Sequence, residues 1–244
     1  MIVLFTDFGL EGPYSGQLEA VLQQQAPGVP VIRLFSDLPT FDIRGAAYLL
    51  PAYAAGFPPA TVFLCVVDPG VGSERPGVAL EADGRWYVGP DEGLFELLAR
   101  RARTMTYWRL PLALGVSSSF HGRDVFAPVA AHLARTGVPG SGAAVAERSP
   151  RTDWPDELLQ VVYIDHFGNA ISGMRATALQ ADALLEINGH VLHAARTFSD
   201  VAEGEAFWYA NSSGLVEIAV NRGRASELLG ARTGMPIVLR HSSG

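Results

Sequence analysis

The sequence predicts an α/β amino-terminal domain with a mostly parallel, helix-covered sheet, followed by a smaller, barrel-like antiparallel β domain. Three observations support this prediction. Short apolar runs alternate with helix-like segments over the first half of the chain, which is typical of βαβ units. One run, residues 61–67, is continuously apolar or β-branched, as expected of a strand buried on both faces. Beyond residue 157 the pattern changes to short strands separated by turn signals, which indicates antiparallel hairpins.

The elements of the first domain follow from local patterns. Leu18, Val21 and Leu22 fall on one face of the first predicted helix. Asp83-Gly84 predicts a hairpin turn between the fourth and fifth strands. The predicted strands are residues 2–5, 29–34, 61–67, 78–82, 86–88 and 105–110, and the predicted helices are residues 13–26, 41–53, 94–103 and 125–135.

The second domain follows a change in composition. Gly, Pro, Ser and charged residues crowd together over residues 136–157, which indicates a linker. We therefore divide the chain into an α/β domain at 1–148, a linker at 149–157 and a β domain at 158–244. The predicted strands of the β domain are residues 159–164, 183–187, 190–194, 206–210, 214–220 and 236–240.

The composition excludes several classes of protein. The 244 residues carry a formal charge of -7, which argues against a nucleic-acid partner because phosphate contacts need clustered basic side chains. All 18 basic residues are Arg, so Schiff-base chemistry and a Walker-type phosphate loop, which both need Lys, are excluded. The sequence also has no G-x-G-x-x-G fingerprint and no G-x-S-x-G elbow, which disfavours dinucleotide-fold oxidoreductases and α/β-hydrolases.

The sequence is also informative about location. Cys65 is the only cysteine, so no internal disulfide can form and a reducing compartment is expected. The first residues, MIVLFTDFG, lack a basic region and predict a strand rather than a signal peptide. No apolar segment is long enough to span a bilayer. We therefore expect a cytoplasmic protein with no membrane partner.

The stretch TVFLCVVDPGVGSERPG, residues 61–77, gives the strongest site signal. Its apolar run ends at Asp68, and the carboxyl ends of strands are where open α/β sheets bind ligands. Arg75 follows a glycine-containing turn that would fold it back onto the Asp68 carboxylate. The alternative is that Asp68 caps a surface turn.

Two further motifs of the first domain carry candidate functional residues. TDFG places Asp7 at the end of the first strand, where a carboxylate can accept both hydroxyls of a ribose or can cap a turn. FHGRD contains His121, a candidate proton carrier or water-orienting group. Asp124 is either a helix cap or the partner of Arg123. Alternatively, His121 and Asp124 could ligate a metal ion together, although no third ligand stands at a suitable spacing.

Two motifs of the second domain combine turns with polar or aromatic residues. In IDHFGN, Asn169 can pair with an adenine edge and Phe167 can stack on a base or a sulfonium, the alternative being a simple hairpin turn. In YANSSGLVEIAVN, polar residues interrupt an apolar hairpin, which indicates either a ligand face or a solvated edge strand. Those polar residues are Ser212, Ser213, Glu217 and Asn221.

Taken together, six motifs resemble those of one family. TDFG, VVDPGVG, GPDEG, SFHGRDVFAP, DHFGN and NSSGLVEIAVN, in this order and spacing, are similar to the S-adenosylmethionine (SAM) hydrolases, also called SAM hydroxide adenosyltransferases, which are relatives of the fluorinase and chlorinase. The resemblance covers nearly the whole chain. It implies a homotrimer that binds ligand between the amino-terminal domain of one subunit and the carboxy-terminal domain of its neighbour. The implied reaction is attack of water on ribose C5′ of SAM, with the R-sulfonium epimer as the expected substrate, releasing adenosine and methionine without a metal or cofactor.

The resemblance also implies roles for individual residues. Asp68, Arg75 and His121 match the water-activating triad of the family, and Asp7 matches the residue that holds the ribose diol. Asn169 would meet the adenosine. The other implied substrate-binding residues are Phe120, Asp165, Phe167, Ser212, Glu217, the backbone of Val220, and Asn221.

Two positions depart from the family pattern. Glu92 stands where the family usually has Asn, and Ser213 stands where the fluorinase has Arg. The first departure affects the expected loop geometry, and the second argues against the halogenating branch.

The implied chemistry depends on a well-placed water molecule. A sulfonium is already a good leaving group, so the difficulty is to bring a weak nucleophile in line with C5′. Arg75 beside Asp68 is expected to lower the pKa of that carboxylate, leaving it ionised but a weak base. General-base assistance contributes roughly 10²–10⁴-fold, whereas fixing the water contributes ~7–11 kcal/mol. We therefore expect the triad mainly to orient water. The alternatives are a SAM-dependent halogenase, a non-catalytic protein that binds adenosine or SAM, and a metal-dependent hydrolase using His121 and Asp124.

Overall fold

The computed structural model describes residues 1–111 and 117–240. The chain divides into two compact units, of which the first comprises Met1–Leu50 and Gly56–Thr152 and the second comprises Pro51–Ala55 and the chain from Asp153 onwards. None of the helices in these described ranges is long and apolar enough to cross a membrane.

The first unit contains every strand and helix that the sequence predicts for residues 2–135, with end points displaced by one or two residues. A single π-helical turn, Gly122–Phe126, leads directly into the last helix. The strands are β1 (Ile2–Thr6), β2 (Val31–Phe35), β3 (Val62–Val66), β4 (Gly77–Ala82), β5 (Arg85–Pro90), β6 (Met105–Leu110) and β7 (Ala144–Val145). The helices are α1 (Tyr14–Gln25), α2 (Ile43–Ala54), whose residues from Pro51 onwards belong to the second unit, α3 (Glu96–Arg101) and α4 (Ala127–Thr136).

The seven strands of the first unit form one mixed sheet. Their order is β2-β1-β3-β5-β4-β6-β7. The pairs β1–β2, β1–β3 and β3–β5 are parallel, whereas β4–β5, β4–β6 and β6–β7 are antiparallel. The prediction of a mostly parallel sheet is therefore wrong. Asp83 and Gly84, at φ 46° and 76°, form the predicted tight turn, and the resulting hairpin supplies antiparallel strands to the same sheet.

The core of the first unit surrounds its parallel strands. Every residue of β1 and β3 is buried, with exposed fractions of 0–2%, which confirms the predicted buried strand. Alternate residues of these strands, such as Leu4 and Leu64, pack in one cluster with Leu22 of α1 and Ala130 of α4. Because a strand buried in this way cannot move independently of the sheet, the residues just beyond its end are held in place.

The second unit is built around a seven-stranded sheet. Its order is β14-β10-β11-β12-β13-β9-β8, and every pair except β11–β12 is antiparallel. Hydrogen bonds from Val161 N–H to Met235 O and from Ile237 N–H to Leu159 O, both 2.9 Å, connect the two ends of this order, in keeping with the expected barrel-like form. The elements are β8 (Leu158–Ile164), β9 (Ala170–Arg175), β10 (Leu184–Ile187), β11 (His190–Ala194), β12 (Ala206–Ala210), β13 (Leu215–Val220), β14 (Val238–Arg240) and the short helix α5 (Ala225–Leu228).

Two strands were not predicted. β7 lies within residues 136–157, the stretch whose composition indicates a linker, and pairs with β6. β9 directly follows the IDHFGN motif and pairs with β8 and β13. Gly, Ser and polar residues in and around both segments hide the periodicity of a strand.

Candidate active site

Two neighbouring parallel strands bring two carboxylates together. β1 and β3 pair in register, with Thr6 opposite Val66, and Asp7 and Asp68 follow the ends of these strands. In the sheet, β1 and β3 are neighbours. The strand that follows β1 in the chain, β2, lies on the β1 side of this pair, whereas the strands that follow β3, namely β4 and β5, lie on the β3 side. Such a reversal opens a crevice at the carboxyl ends of the strands. Asp7 and Asp68 both line a cavity of about 310 Å³ at this point, a size at the lower end of small-molecule sites.

Asp68 forms a buried ion pair with Arg75, as the sequence predicts. The Arg75 Nη2 donates to Asp68 Oδ2 at 2.5 Å, and the two side chains are 7% and 6% exposed. Gly72 shapes the intervening turn, because it lies at φ 86° and a Cβ there would come within 2.5 Å of the Ser118 carbonyl oxygen. Asp68 lines the cavity, and its Oδ1 is buried with no hydrogen-bond partner within residues 1–111 and 117–240. One carboxylate oxygen therefore binds Arg75. The other makes no hydrogen bond of ordinary geometry within the described ranges, although the Gly70 N–H is near enough to stabilise the charged carboxylate.

The electrostatics of this carboxylate differ from the expectation. Burial raises the pKa of Asp68, and the opposing effects of Arg75 and His121 do not reverse that shift. The expectation that Arg75 makes Asp68 a weak base is therefore wrong, because desolvation of the charged form outweighs the guanidinium. Burial also raises the pKa of Asp7, despite a hydrogen bond from the Phe41 N–H. Asp68 is consequently a stronger base than sequence reasoning indicates.

His121 reaches the same cavity from the π-helical turn. It lies immediately before Gly122–Phe126, is 6% exposed and lines the cavity with Asp68. Single π-helical turns occur frequently at functional sites. The turn is braced by Asp124, which accepts hydrogen bonds from Arg123 Nε at 2.5 Å and from the Ser117 N–H at 3.1 Å. Asp124 is thus the partner of Arg123, one of the two roles predicted for it.

Three aromatic rings form a wall of the cavity. Phe8, Tyr14 and Phe120 contact one another edge to face or tilted, with centroids 5.4–5.9 Å apart. Such rings suit a flat base or a cation. Phe120 is an expected substrate-binding residue, whereas Phe8 and Tyr14 were missed. Phe8 adjoins Asp7 in the TDFG motif, which is a usable signal, but Tyr14 at the start of α1 carries none.

Phe41 lines the cavity and has a strained backbone conformation. It lies at φ 63°, a conformation that is rare for an aromatic residue. Its N–H donates to Asp7 Oδ2 at 2.9 Å, and its side chain lines the cavity while 66% exposed. The bond to Asp7 stabilises this conformation and orients the carboxylate at the same time.

The IDHFGN residues of the second unit form a tight turn between β8 and β9. Asp165 accepts hydrogen bonds from the Asn169 N–H at 2.8 Å and from Asn169 Nδ2 at 3.1 Å. Gly168 lies at φ 83°, which permits the turn. Asn169 is buried, whereas Phe167 is 70% exposed. The turn therefore presents an aromatic ring outwards, while its polar side chains bind each other.

The hairpin of β12 and β13 uses several of its candidate residues internally. Glu217 is buried and accepts hydrogen bonds from Tyr209 Oη at 2.5 Å and Asn211 Nδ2 at 2.9 Å. Asn221 Nδ2 donates to Val201 O at 2.8 Å, and the buried Val220 accepts a hydrogen bond from the Gly223 N–H at 3.1 Å. Ser212 is exposed in the turn. The geometry gives Glu217 and Asn221 a part in holding the hairpin, and Ser212 is the expected ligand contact that the turn leaves accessible.

No metal-binding cluster is evident in the part of the chain that the structure describes. Within residues 1–111 and 117–240, no group of three or more His, Cys, Asp or Glu side chains is placed to hold a metal ion.

The fold and the cavity define a two-domain protein with a small-molecule site at the carboxyl ends of β1 and β3. Two family models match the chain. The model of the SAM hydroxide adenosyltransferase N-terminal domain matches residues 2–141, and that of the C-terminal domain matches residues 159–238. The chain therefore belongs to the SAM hydroxide adenosyltransferase family.

Similar proteins and structures cover nearly the whole chain. Proteins named (R)-S-adenosyl-L-methionine hydrolase from Thermus thermophilus and Salinispora tropica are 43% and 39% identical, covering 98% and 94% of this chain and 98% and 93% of the relatives. The crystal structure of an uncharacterized conserved protein from Thermotoga maritima matches with a TM-score of 0.88 at 28% identity, covering 99% of this chain and 100% of that one. That of a conserved hypothetical protein from Thermus thermophilus matches with a TM-score of 0.76 at 38% identity, covering 98% and 99%.

Proposed function

We propose that this chain hydrolyses (R)-S-adenosyl-L-methionine to adenosine and L-methionine by in-line attack of an oriented water on ribose C5′. The observation that carries the proposal is the state of Asp68, which binds Arg75 through Oδ2, has no hydrogen-bond partner for Oδ1 in the described ranges, and lines a cavity together with His121. The names of the relatives support the substrate and the epimer.

Asp68 is the group that takes the proton. A water that donates to Asp68 Oδ1 attacks C5′ as the bond between C5′ and sulfur breaks, and the bonding electrons remain on sulfur as the neutral thioether of methionine. The water proton passes to Asp68, which leaves the new 5′-hydroxyl neutral. No separate acid is needed, because the sulfur leaves as a neutral thioether. Because burial raises the pKa of Asp68, its basicity contributes more than a strongly stabilised carboxylate would, within the usual 10²–10⁴-fold range for general bases.

The other cavity residues position the reactants. His121 supplies a second polar contact to the water, and Asp7 accepts the ribose hydroxyls. The rings of Phe8, Tyr14 and Phe120 bind the flat or cationic parts of the ligand. Holding water and C5′ in line supplies ~7–11 kcal/mol, more than proton transfer does. Positioning is thus the larger contribution of the site.

We also propose that the chain acts as a homotrimer in the cytoplasm with no cofactor. The family resemblance supports the trimer, and expected substrate-binding residues occur in both units, including Asp7 and Phe120 in the first and Asn169 and Ser212 in the second. A single buried cysteine, Cys65, is in keeping with a reducing compartment. Light scattering of the purified protein measures the oligomeric state directly.

The test uses the two resolved sulfonium epimers, each incubated separately in ¹⁸O-labelled water. We expect stoichiometric adenosine and methionine from the R epimer, with the label in the adenosine 5′-hydroxyl. Parallel reactions contain excess chloride or an exhaustive chelator, and neither is expected to change the product. Formation of 5′-chloro-5′-deoxyadenosine would overturn the assignment in favour of a halogenase. Tight binding without methionine release over hours would identify a non-catalytic binding protein.

A further inference from the structure

Arg75 has a second carboxylate partner besides Asp68. Glu92 Oε1 lies 3.3 Å from Arg75 Nε, and the Glu92 side chain is 22% exposed. Arg75 Nη1 also donates to the Pro76 carbonyl oxygen at 3.3 Å, and its guanidinium lies 5.8 Å from the centre of the Phe126 ring. The guanidinium is therefore surrounded by four partners, two of which are carboxylates.

The two carboxylates share one edge of the guanidinium. Nε and Nη2 form the edge on which arginine chelates a carboxylate through two parallel hydrogen bonds. Here Nη2 binds Asp68 at 2.5 Å, while Nε, which has no hydrogen-bond partner in the described ranges, lies 3.3 Å from Glu92 Oε1 in an ion pair. With Glu92 in this position, Asp68 contacts the edge through Oδ2 alone, and its Oδ1 has no hydrogen-bond partner in the described ranges.

The local backbone provides the space for this arrangement. A Cβ at Gly70 would lie 2.2 Å from Glu92 Oε1. Glu92 Oε2 is buried and has no hydrogen-bond partner within residues 1–111 and 117–240. The ion pair with Arg75 only partly offsets the desolvation of the Glu92 carboxylate, because burial raises its pKa and the lowering effect of Arg75 does not reverse that shift.

We propose that Glu92 is a positioning residue whose carboxylate lies against Nε of Arg75 and thereby keeps Asp68 singly bound, with Oδ1 directed to the reacting water. Without Glu92, we expect this edge of Arg75 to chelate Asp68 through both oxygens, which turns Oδ1 from the reacting water towards Nε. The role of Glu92 in catalysis rests on the proposed hydrolysis, whereas its effect on the contacts between Asp68 and Arg75 does not.

Three variants separate the possible contributions of Glu92. Glu92→Ala uncovers Nε, and Glu92→Gln keeps a neutral oxygen beside Nε. Gly70→Ala displaces the end of the Glu92 side chain while leaving Glu92 in the sequence, with its Cβ also 3.3 Å from Arg75 Nε. Glu81→Ala removes a carboxylate from β4, at the end of the strand remote from Gly77, and serves as the control.

Kinetics on SAM give the first measurement. We expect kcat to fall roughly 10- to 100-fold in Glu92→Ala and Gly70→Ala, as for other displaced catalytic groups, with KM within about twofold. Glu92→Gln should recover most of the loss, Glu81→Ala should match the unmodified protein, and the Gly70→Ala/Glu92→Ala double variant should be no slower than Glu92→Ala. A kcat for Glu92→Ala within about threefold of the unmodified value would overturn the inference.

Crystal structures give a measurement that does not depend on activity. In Glu92→Ala we expect both Asp68 oxygens within hydrogen-bond distance of Arg75 Nε and Nη2, against one oxygen in the unmodified protein and in Glu92→Gln. If Asp68 stays singly bound in Glu92→Ala, the inference is wrong. If the unmodified protein does not hydrolyse SAM, the proposed function fails, and the same pair of structures still decides the role of Glu92.

Discussion

Replacing Asp68 with Asn tests Asp68 as the acceptor of the water proton. The amide has the size of the carboxylate, and its oxygen can still accept the hydrogen bond that Arg75 Nη2 now donates at 2.5 Å. With that oxygen on Arg75, the amide nitrogen takes the place of Oδ1 and cannot accept a proton from water. The variant therefore loses both the base and this contact to the water, while His121 and the substrate-binding residues are unchanged. We expect turnover to fall about 10²–10⁴-fold or more, while adenosine binding is retained.

The same substitution should leave the protein at least as stable at neutral pH. Burial raises the pKa of Asp68 in the folded chain, so the folded state holds the proton more tightly than the unfolded state. Stability contributed by this group is present below the unfolded pKa and is lost as the pH rises through the folded pKa. Asn resembles the protonated acid, so the variant should gain in Tm relative to the unmodified protein as the pH is raised from 4 to 7, by no more than a few degrees, where ~1 kcal/mol is worth about 2–4 °C.

Three measurements check this reasoning. Chromatography of released adenosine gives the rate, calorimetry gives adenosine affinity, and thermal unfolding at several pH values gives the difference in Tm. A loss of turnover below about tenfold would refute the role of Asp68 as base. A Tm that falls relative to the unmodified protein as the pH rises would refute the claim that burial outweighs Arg75.

Three further outcomes are expected. His121→Ala should lose turnover but bind adenosine normally in calorimetry, and weakened binding would instead place His121 at the nucleoside. Asp7→Asn should weaken adenosine binding by roughly tenfold or more, since hydrogen bonds to a charged acceptor are worth ~1.5–3 kcal/mol; unchanged affinity would remove Asp7 from the ribose site. The kcat/KM profile should fall on the acid side at a pH above the ordinary aspartate value of about 3.9, because burial raises the pKa of Asp68, and this limb should be absent from the residual activity of Asp68→Asn.

The fold could be predicted where local chemistry determines it. The apolar run of β3 and the Asp83-Gly84 turn each specify one structure from their own residues, and both appear as expected. The arrangement of the hairpin within the sheet depends on which strand β5 pairs with, and that is a long-range choice absent from any local pattern. For the same reason, two-residue β7 could not be seen in a stretch rich in Gly and Pro.

The candidate site divides along the same line. Asp68 and Arg75 were predictable as partners because seven residues and a glycine turn separate them. The sign of the Asp68 pKa shift was not predictable, since it depends on how deeply the sheet and the π-helical turn bury the carboxyl. The contact between Glu92 and Arg75 was likewise hidden, because it depends on space left by the missing side chain of Gly70.

Phe41, through its strained backbone, couples the conformation of the cavity wall to ligand binding. Its backbone, at φ 63°, stores about 1–3 kcal/mol of strain, and its amide is tied to the carboxylate that we assign to the sugar. A nucleoside that draws Asp7 towards its sugar weakens the hydrogen bond from Phe41 and allows the strained backbone to relax. Conversely, while Phe41 keeps its strained conformation, Asp7 stays oriented for the sugar. Ligand binding and the backbone conformation of Phe41 are therefore reciprocally coupled through the carboxylate of Asp7.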